Sequence, residues 1–573
     1  MRPEDLVFAT VMLPLLGAAF ALCANMFPKG KGADTVEFIG AGIGLLLPLI
    51  VLANVFPLVT GGNAIEGVIG SWHEGIGITF SFDGLALLIN ILGYTVGIAA
   101  WIYSLGGGPR GPAFTGIFLI QCAALSATIM TNDLFNLFVC LEIMGMTSYV
   151  LIPTSRKAGA SLASFSYLMV SASAMVFFLL GTYGLYRLTG SLSFQGIEAG
   201  LALLGSTQRI LSLACLTLLV SAVAIRVAIM PLYGWLPDAH ALSPHAVSAV
   251  LSGVLIKTPL FALARILHLL PEGTKIGELM SIAGALTAVV AVVIALSQRD
   301  AKRLLAYHSI SQIGYIVAAW GMALRWGIDT PEGLACMVGA FLHAFYHALF
   351  KGLLFLSVGT TVDVTGERNV YLLRSSIASL KERGERIPIT FIAFVTGALA
   401  ISAIPPLNGY VSKDLITYSL KGTVHYVLLS IASVGTVASF IKLSRIYWRG
   451  TKVAAQASLS TETTPYWPRL VAEVLLSLLC IAGGVASHRI IPVVSDLLAP
   501  ANVTAIANAN LFSTDSLVKT AWTVASGTLL FFAATSRPGS VMLRIVRERP
   551  RDFHGLFISF ALGTAVLAGY LLI

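Results

Sequence analysis

Charge is scarce in this chain: Asp, Glu, Lys and Arg make up only 11% of its 573 residues, whereas 57% are hydrophobic. The mean hydropathy of +0.86 lies far above that of soluble globular domains. We therefore expect most of the chain to lie in lipid. The net charge of +9 does not indicate a nucleic-acid partner, because the position of basic residues decides their meaning in a membrane protein.

Cysteine is also sparse, and its spacing carries no metal signature. The six cysteines occur singly in apolar segments, with no CxxC pair. Neither an iron–sulfur cluster nor a zinc site is expected, and no dinucleotide-binding fold is evident, so we predict no cofactor. Any electron transfer would belong to partner subunits, and the sequence leaves open whether the chain is part of a larger enzyme.

Apolar runs long enough to span a bilayer recur along the whole chain. A spanning helix needs about 20 apolar residues to cross roughly 30 Å of hydrocarbon, and we predict about 16 such helices. Long unbroken runs contradict a barrel of alternating strands. The first run lacks a basic leader and a cleavage site, so it is interpreted as a retained helix. The predicted helices, numbered 1 to 16, cover 6–26, 35–56, 83–104, 112–131, 133–153, 163–187, 210–233, 243–269, 276–297, 304–325, 333–359, 388–418, 422–447, 468–489, 516–535 and 554–573.

Basic residues concentrate in the connections that follow odd-numbered predicted helices. The positive-inside rule places those connections in the cytoplasm, so both termini are expected outside, in a cytoplasmic (inner) membrane. The basic residues after helices 9, 11 and 15 are Arg299, Lys302, Arg303, Arg368, Arg374, Lys381, Arg383, Arg386, Arg537, Arg544, Arg547, Arg549 and Arg551.

One short motif occurs twice. PLYGWL at 231–236 returns in outline as PLNGYV at 406–411, which gives the shared pattern P-L-x-G-aromatic-aliphatic. The two copies belong to predicted helices 7 and 12, which run in opposite directions, as in an inverted-topology repeat. Proline removes a backbone donor and the nearby glycine allows a bend, so both helices are predicted to be broken at membrane depth. The residues assigned to these breaks are Pro231, Gly234, Pro405, Pro406 and Gly409.

Five charged residues fall deep in predicted helices. Each costs about 2.5–3.5 kcal/mol at the bilayer centre, or roughly 12–18 kcal/mol for the five, so we expect partners and buried water. On helix 11, spacing by four places two histidines and a lysine on one face. Near-neutral imidazoles suit proton relay between lysines. The five charged residues are Glu142, Arg226, Lys257, Lys351 and Lys413, and the helix 11 group is His343, His347 and Lys351.

Simpler interpretations stand beside these. The deep charges could form static salt bridges. For His308, two interpretations are equally consistent with the sequence: a role in taking up protons, and an ordinary hydrogen-bonded histidine. Asp133 is expected to cap helix 5. The basic residues expected as interfacial anchors that snorkel to water are Arg265, Lys442 and Arg445.

Taken together, five stretches resemble the antiporter-like proton-translocating subunits shared by Mrp sodium/proton antiporters, respiratory complex I and membrane-bound hydrogenases. They are the surroundings of Glu142, then 231–257, 300–315, 342–359 and 404–415. The resemblance implies an all-α polytopic fold whose 14-helix core holds two inverted five-helix repeats. It also implies a central polar proton pathway, and Lys413 is most similar to the Mrp D-type subunits.

This resemblance sets the expected organisation and partners. We expect N-terminal helices in 1–111, a first repeat in 112–270, a second in 271–450, and helix 14 with a two-helix extension in 451–573. The expected partners are other membrane subunits, the lipid bilayer, and protons with or without sodium. The extension is expected to pack against a neighbouring subunit, although an isolated extension would look the same in sequence.

Arg226 departs from the family, which usually has lysine five residues before the helix 7 proline. Arginine stays protonated, so Arg226 is predicted to be a fixed counter-ion to Glu142. Proton transfer would then run through Lys257, His343, His347, Lys351 and Lys413. Two alternatives remain: a stand-alone secondary transporter for a solute, and a structural subunit whose conduction Arg226 has disabled.

Overall fold

The computed structural model describes residues 2–28, 30–69, 77–269, 273–450, 466–498 and 512–548, and single residues after 561. Among them, thirteen helices are long and apolar enough to cross a membrane. The helices are α1 Pro3–Cys23, α2 Lys31–Ala41, α3 Leu47–Val59, α4 Gly84–Gly107, α5 Pro112–Met130, α6 Leu134–Leu151, α7 Ala160–Thr189, α8 Phe194–Ala202, α9 Ser206–Val227, α10 Leu236–Leu242, α11 His245–Val250, α12 Thr258–Leu267, α13 Gly273–Ser297, α14 Ala301–Trp326, α15 Pro331–Thr365, α16 Ser376–Glu382, α17 Ile389–Ile401, α18 Asn408–Ser419, α19 Val424–Ser444, α20 Trp467–Val485, α21 Ser487–Leu498, α22 Thr514–Thr535 and α23 Arg537–Glu548.

The predicted helical fold class is confirmed. The first fifteen predicted spans fall on helices, while the sixteenth, 554–573, lies almost wholly outside the described residues. The total number of spans stays a prediction. The segment 537–548, expected as part of a basic connection, instead forms helix α23, which packs against α13 and α22.

A short hairpin departs from the expectation of an all-helical chain. Strands β1 (Ile65–Val68) and β2 (Thr79–Phe82) pair antiparallel, and Ile65 lies opposite Phe82. Phe80 and Phe82 are buried against the helices, so the hairpin covers one end of the bundle.

Helix α15 runs through the centre of the bundle. Its 35 residues correspond to about 52 Å of helix, longer than the roughly 30 Å hydrocarbon core. It contacts α4, α14, α17, α18 and α20, and nearly all of its side chains are buried. Because protein rather than lipid surrounds α15, polar side chains on it can be retained at membrane depth.

Glycines bring α13 and α14 into close contact. A Cβ on Gly284 or Gly314 would overlap backbone atoms of the facing helix, and the same holds for Gly277 and Gly321. Small residues allow such close helix packing in membranes. This contact fixes α14, which carries several of the polar side chains described next.

Candidate functional site

The two predicted helix breaks share one backbone geometry. Helix α9 is followed by Ala228 at φ 59°, and α17 by Ala403 at φ 57°, each three residues before the repeated proline. In both, the alanine N–H donates to the carbonyl three residues back, and the next N–H donates to the carbonyl five residues back. This pattern is a Schellman motif, which usually has glycine at the left-handed position. The structure therefore confirms both breaks and extends the sequence repeat by three residues.

Gly409 is required for a reason other than bending. It lies in the first turn of α18, and a Cβ at this position would overlap the carbonyl oxygen of Ala400. Gly234 lies in the turn between α9 and α10, and Pro405 and Pro406 lie immediately before α18. The second break lies where the sequence predicted it. The glycine at 409 was expected to let the chain bend, but the structure shows that it allows the backbones of α17 and α18 to pack closely.

Lys413 caps the end of the half-helix α17. Its Nζ donates to the Ile401 carbonyl at 2.8 Å and lies 4.6 Å from the centre of the Tyr315 ring. The last carbonyls of a helix have no partner within the helix and carry partial negative charge. The broken helix thus supplies the acceptor that holds this amine at 3% exposure.

Lys257 is held by a distortion of predicted helix 8. The span 243–269 is not one regular helix, because a π-helical segment, Leu251–Leu255, separates α11 from α12. The Nζ of Lys257 donates to the carbonyls of Ser252 at 2.7 Å and Gly253 at 2.6 Å. These acceptors are available because the wider π turn interrupts regular helical hydrogen bonding.

Helix α14 links Lys257 to Lys351. The hydroxyl of Ser252 lies 2.7 Å from that of Ser309, which in turn donates to the Leu305 carbonyl at 3.3 Å. The Nζ of Lys351 donates to the same Leu305 carbonyl. Both amines are fully buried, and a short series of polar groups on α14 lies between them.

His343 joins α15 to two other helices. One ring nitrogen lies 2.9 Å from the Ser412 hydroxyl on α18, and the other lies 3.1 Å from the Gln312 amide oxygen on α14. Ser412 precedes Lys413 in sequence, so this contact places the imidazole beside the amine-bearing turn of α18.

His347 lies on α15, one turn before Lys351. Its ring centre is 6.2 Å from that of His343, and it lies within electrostatic range of Lys257, Lys351 and Lys413. Neither of its ring nitrogens has a hydrogen-bond partner among the described residues, although the side chain is fully buried. An unpaired buried polar group costs about 1–3 kcal/mol, so such nitrogens normally bind water.

His308 is fully buried against the Phe440 ring, with 4.9 Å between ring centres. Neither nitrogen is hydrogen-bonded to a described protein group. Both interpretations of His308, as a hydrogen-bonded histidine and as a group that takes up protons, therefore stay open. Its role in proton uptake stays a prediction.

Glu142 and Arg226 form the predicted ion pair between α6 and α9. The guanidinium also donates to the Leu141 carbonyl at 2.6 Å. Arg226 is buried, whereas the Glu142 side chain is 21% exposed at the edge of the bundle. Within the described part of the chain, no hydrogen bond directly joins this pair to Lys257. The predicted residues thus form two sets. The central group consists of Lys257, His343, His347, Lys351 and Lys413, and Glu142 and Arg226 form a separate pair.

Several buried polar residues were not predicted from the sequence. Lys302, counted as a basic residue of a connection, is fully buried and donates to the Ser243 carbonyl at 2.6 Å. Lys442 is also buried, and its Nζ donates to the Leu296 carbonyl at 2.7 Å, so its expected snorkelling was wrong. Asp133 does cap α6, as predicted, by accepting from the Asn136 N–H at 2.7 Å.

Glu473 on α20 is the clearest omission. It is fully buried and accepts a hydrogen bond from the Thr360 hydroxyl at 2.7 Å. A lone carboxylate in an apolar run was the signal that identified Glu142, and the same signal is present at Glu473 in RLVAEVLLSLLC. Across the described residues, no group of three or more His, Cys, Asp or Glu side chains is placed to hold a metal ion.

Residues 131–440 match the protein family described as NADH:quinone oxidoreductase/Mrp antiporter, transmembrane. The chain belongs to this family. The matched residues contain both helix breaks, the central group and the Glu142–Arg226 pair.

Individual members of the family agree with this assignment. The NADH-quinone oxidoreductase subunit N of Desulforudis audaxviator is 32% identical over 451 residues, which cover 76% of this chain and 86% of the relative. The D-type subunit of the Na(+)/H(+) antiporter from Alkalihalophilus pseudofirmus is 28% identical, over 78% of this chain and 86% of its own. A chain of the Mrp complex from Dietzia sp. DQ12-45-1b shares the fold, with a TM-score of 0.73 at 21% identity over 90% of this chain and 100% of that one.

The resemblance drawn from the sequence is therefore confirmed. This chain is a multi-pass, antiporter-like membrane subunit of the family found in Mrp, complex I and related membrane complexes.

Proposed function

We propose that this chain conducts protons across the cytoplasmic membrane, with both termini outside, as one subunit of an ion-translocating complex. The proposed pathway runs through Lys257, Lys351 and Lys413, with His343 and His347 between them. We assign the two inverted repeats to 112–270 and 271–450, so that each contributes one broken helix.

One observation carries this proposal: three buried lysines converge without carboxylate partners. Among the described residues, no ion pair involves Lys257, Lys351 or Lys413, and each amine donates to backbone carbonyls instead. A permanently charged amine in such surroundings would be costly, because desolvation disfavours the charged form and no counter-ion compensates. Groups that can gain and lose a proton fit these positions better than static charges.

The histidines supply the intermediate steps. His343 contacts Ser412 and Gln312, and His347 has buried ring nitrogens free to bind water. An imidazole can accept a proton on one nitrogen and release one from the other, which suits transfer between lysines through water. His308, near the start of α14, is proposed to connect this group to the cytoplasmic side.

Arg226 has a different role in this proposal. It stays charged and binds both the Glu142 carboxylate and the Leu141 carbonyl, so it holds the carboxylate in place and carries no proton. Its positive charge still acts on neighbouring groups, since electrostatic interactions are strong where the dielectric is low.

The pathway suits protons better than sodium. Hard cations such as sodium favour oxygen ligands, whereas this central group offers mainly amines and imidazoles. If the complex exchanges sodium, as the name of the Alkalihalophilus relative states for that protein, we place sodium transfer outside the Lys257–Lys413 pathway.

Replacing Lys351 by alanine tests the proposal. The complex would be reconstituted into liposomes, and proton movement would be followed with a pH-sensitive dye. We expect Lys351→Ala to abolish proton transport while the complex assembles normally. Lys442→Ala is the matched control, because Lys442 is also a buried lysine bound to backbone carbonyls but lies outside the central group. Unchanged transport in Lys351→Ala would support a structural subunit instead.

A further inference from the structure

Three arginines from separate parts of the chain lie around the end of α19. They are Arg299 in the connection after α13, Arg445 directly after α19 and Arg547 on α23. The guanidinium carbons of Arg299 and Arg445 lie 6.0 and 5.5 Å from the centre of the Tyr371 ring. Arg547 donates to the Ser297 carbonyl at 3.4 Å, and all three arginines lie within electrostatic range of Lys442. We refer to Arg299, Arg445 and Arg547 as the arginine cluster.

Carboxylates offset little of this positive charge. Among the described residues, no carboxylate forms an ion pair with the first two members of the arginine cluster. Asp300, the neighbour of Arg299 in sequence, is bound to Arg368 at 2.8 Å. Arg547 lies 3.4 Å from Glu548, but the Glu548 side chain is 61% exposed, so solvent screens that pair. Like charges in one place repel one another, and an anion placed between them would relieve the repulsion.

The same two arginines have donors available for a ligand. Neither the Arg299 nor the Arg445 side chain donates a hydrogen bond to a protein group within the described part of the chain. Lys442 differs, because its amine donates to the carbonyls of Leu296 and Gln298. It adds positive charge but is not assigned to the ligand. A guanidinium presents several N–H donors in one plane, which matches the oxygens of a phosphate group.

The arginine cluster lies where membrane-spanning helices end. Helices α13 and α19 both end beside it, at Ser297 and Ser444. Trp448, four residues after the end of α19, is 47% exposed, and its indole N–H donates to the Ser444 hydroxyl at 3.1 Å. Tryptophan is enriched where a membrane protein meets the headgroup region of the bilayer. The cluster is therefore placed where a phospholipid phosphate would lie.

Helix α23, which supplies Arg547, presents three different sides. One side packs on the rest of the protein through Leu543 and Val546. A second side is apolar and exposed, and a third side carries exposed basic residues. The exposed apolar residues are Val541, Met542 and Ile545, and the exposed basic residues are Arg537 and Arg544. A helix with an apolar and a basic side is suited to lie in the plane of the membrane interface, with its apolar side against acyl chains.

We infer that the arginine cluster binds the phosphate of an anionic phospholipid, whose acyl chains lie along the exposed apolar side of α23. Charge complementarity supports this occupant, because basic pockets between spanning helices bind anionic headgroups. The exposed apolar residues of α23 favour a lipid over a soluble phosphate, which would contact none of them. Arg547 lies outside the matched residues 131–440, so the site joins the family-matched part of the chain to the C-terminal extension. The inference does not depend on the proposed proton conduction.

Lipid binding to the purified complex tests the inference. The complete complex in detergent would be titrated with phosphatidylglycerol or phosphatidylcholine, and bound lipids would be counted by native mass spectrometry. We expect a site that prefers phosphatidylglycerol. Arg299→Gln combined with Arg445→Gln should lower the affinity of this site for phosphatidylglycerol at least about tenfold, because charge-assisted hydrogen bonds to the phosphate are lost. The matched control is Arg383→Gln combined with Arg386→Gln, which removes the same charge at two exposed arginines of the connection between α15 and α17 and should leave the affinity unchanged.

Three outcomes would overturn the inference. One is an unchanged affinity in the Arg299→Gln and Arg445→Gln double variant, as expected if a neighbouring subunit covers the arginine cluster. Another is an equal loss of affinity in the control, which would show a general effect of charge. The third is displacement of phosphatidylglycerol by inorganic phosphate at the same concentration, which would assign the cluster to a soluble anion.

Spin labels on α23 provide a second test that leaves the arginine cluster intact. Met542→Cys and Arg544→Cys would be labelled in complexes whose other accessible cysteines, including Cys23 and Cys215, are replaced. We expect the label at position 542 to be relaxed mainly by molecular oxygen, which concentrates in lipid, and the label at position 544 mainly by a water-soluble nickel chelate. Equal relaxation by the nickel chelate at both positions, or protection of both positions from both reagents, would contradict a lipid-facing side on α23.

Discussion

The Arg226→Lys variant tests whether Arg226 acts only as a fixed positive charge beside Glu142. Arg226 makes two charge-assisted hydrogen bonds, to the Leu141 carbonyl and to the Glu142 carboxylate. Lysine at this position keeps the charge but cannot present the same planar fork of donors. We therefore expect Arg226→Lys to keep the ion pair and lose one hydrogen bond.

The expected loss of stability in Arg226→Lys follows from the contacts of Arg226. One charge-assisted hydrogen bond contributes about 1.5–3 kcal/mol, and the remaining pair is partly screened because Glu142 is 21% exposed. A loss of about 2 kcal/mol should lower the melting temperature of the complex by a few degrees. Arg226→Met should lower it further, because breaking a buried ion pair costs about 3–5 kcal/mol.

Thermal unfolding of the purified complex and dye-monitored proton transport form the assay. Arg226→Lys should transport protons at close to the wild-type rate, since the charge beside Glu142 is retained. Complete loss of transport in an Arg226→Lys complex that assembles normally would refute the fixed counter-ion and show that the guanidinium itself is required.

Three further predictions concern other parts of the chain. Gly409→Ala should destabilise the complex by about 1–3 kcal/mol, because the new methyl group overlaps the Ala400 carbonyl. Gly32→Ala is the control and should not destabilise it, because the space around Gly32 is open. Thermal unfolding of the two variants would measure the difference. His343→Gln keeps a hydrogen-bonding side chain but removes the titratable ring, so proton flux should fall at least about tenfold. Burial lowers the pKa of Lys157, in the connection between α6 and α7, so its charged form is disfavoured in the folded protein. Lys157→Met should therefore raise the melting temperature at neutral pH, and a pH series should show this gain shrinking as the pH rises toward 10.5, the ordinary pKa of lysine.

Much of the fold could be predicted because a bilayer restricts what a sequence can form. Long apolar runs must become helices in lipid, and a repeated Pro–Gly motif marks where two of them break. The paired Schellman motifs at Ala228 and Ala403 were not predictable, since alanine is an uncommon residue at a left-handed position. The hairpin near Phe80 was also missed, because its two strands are only four residues each.

The candidate site was partly predictable. Charged residues at bilayer depth are easy to identify in a sequence, because their insertion costs free energy and they are therefore rare. Lys257, Lys351 and Lys413 were found in this way. The serines between Lys257 and Lys351, Ser252 and Ser309, could not be distinguished from the many other serines of the helices. Their role depends on the π segment that turns Ser252 toward α14, and the local sequence carries no signal for that segment.

Lys351→Arg tests the central claim most directly. Arginine keeps the positive charge at the centre of α15 but does not release a proton under ordinary protein conditions. In reconstituted complexes that assemble normally, we predict that Lys351→Arg abolishes proton transport as fully as Lys351→Ala. Transport near the wild-type rate in Lys351→Arg would show that a fixed charge is sufficient there, and would contradict proton transfer through the buried lysines.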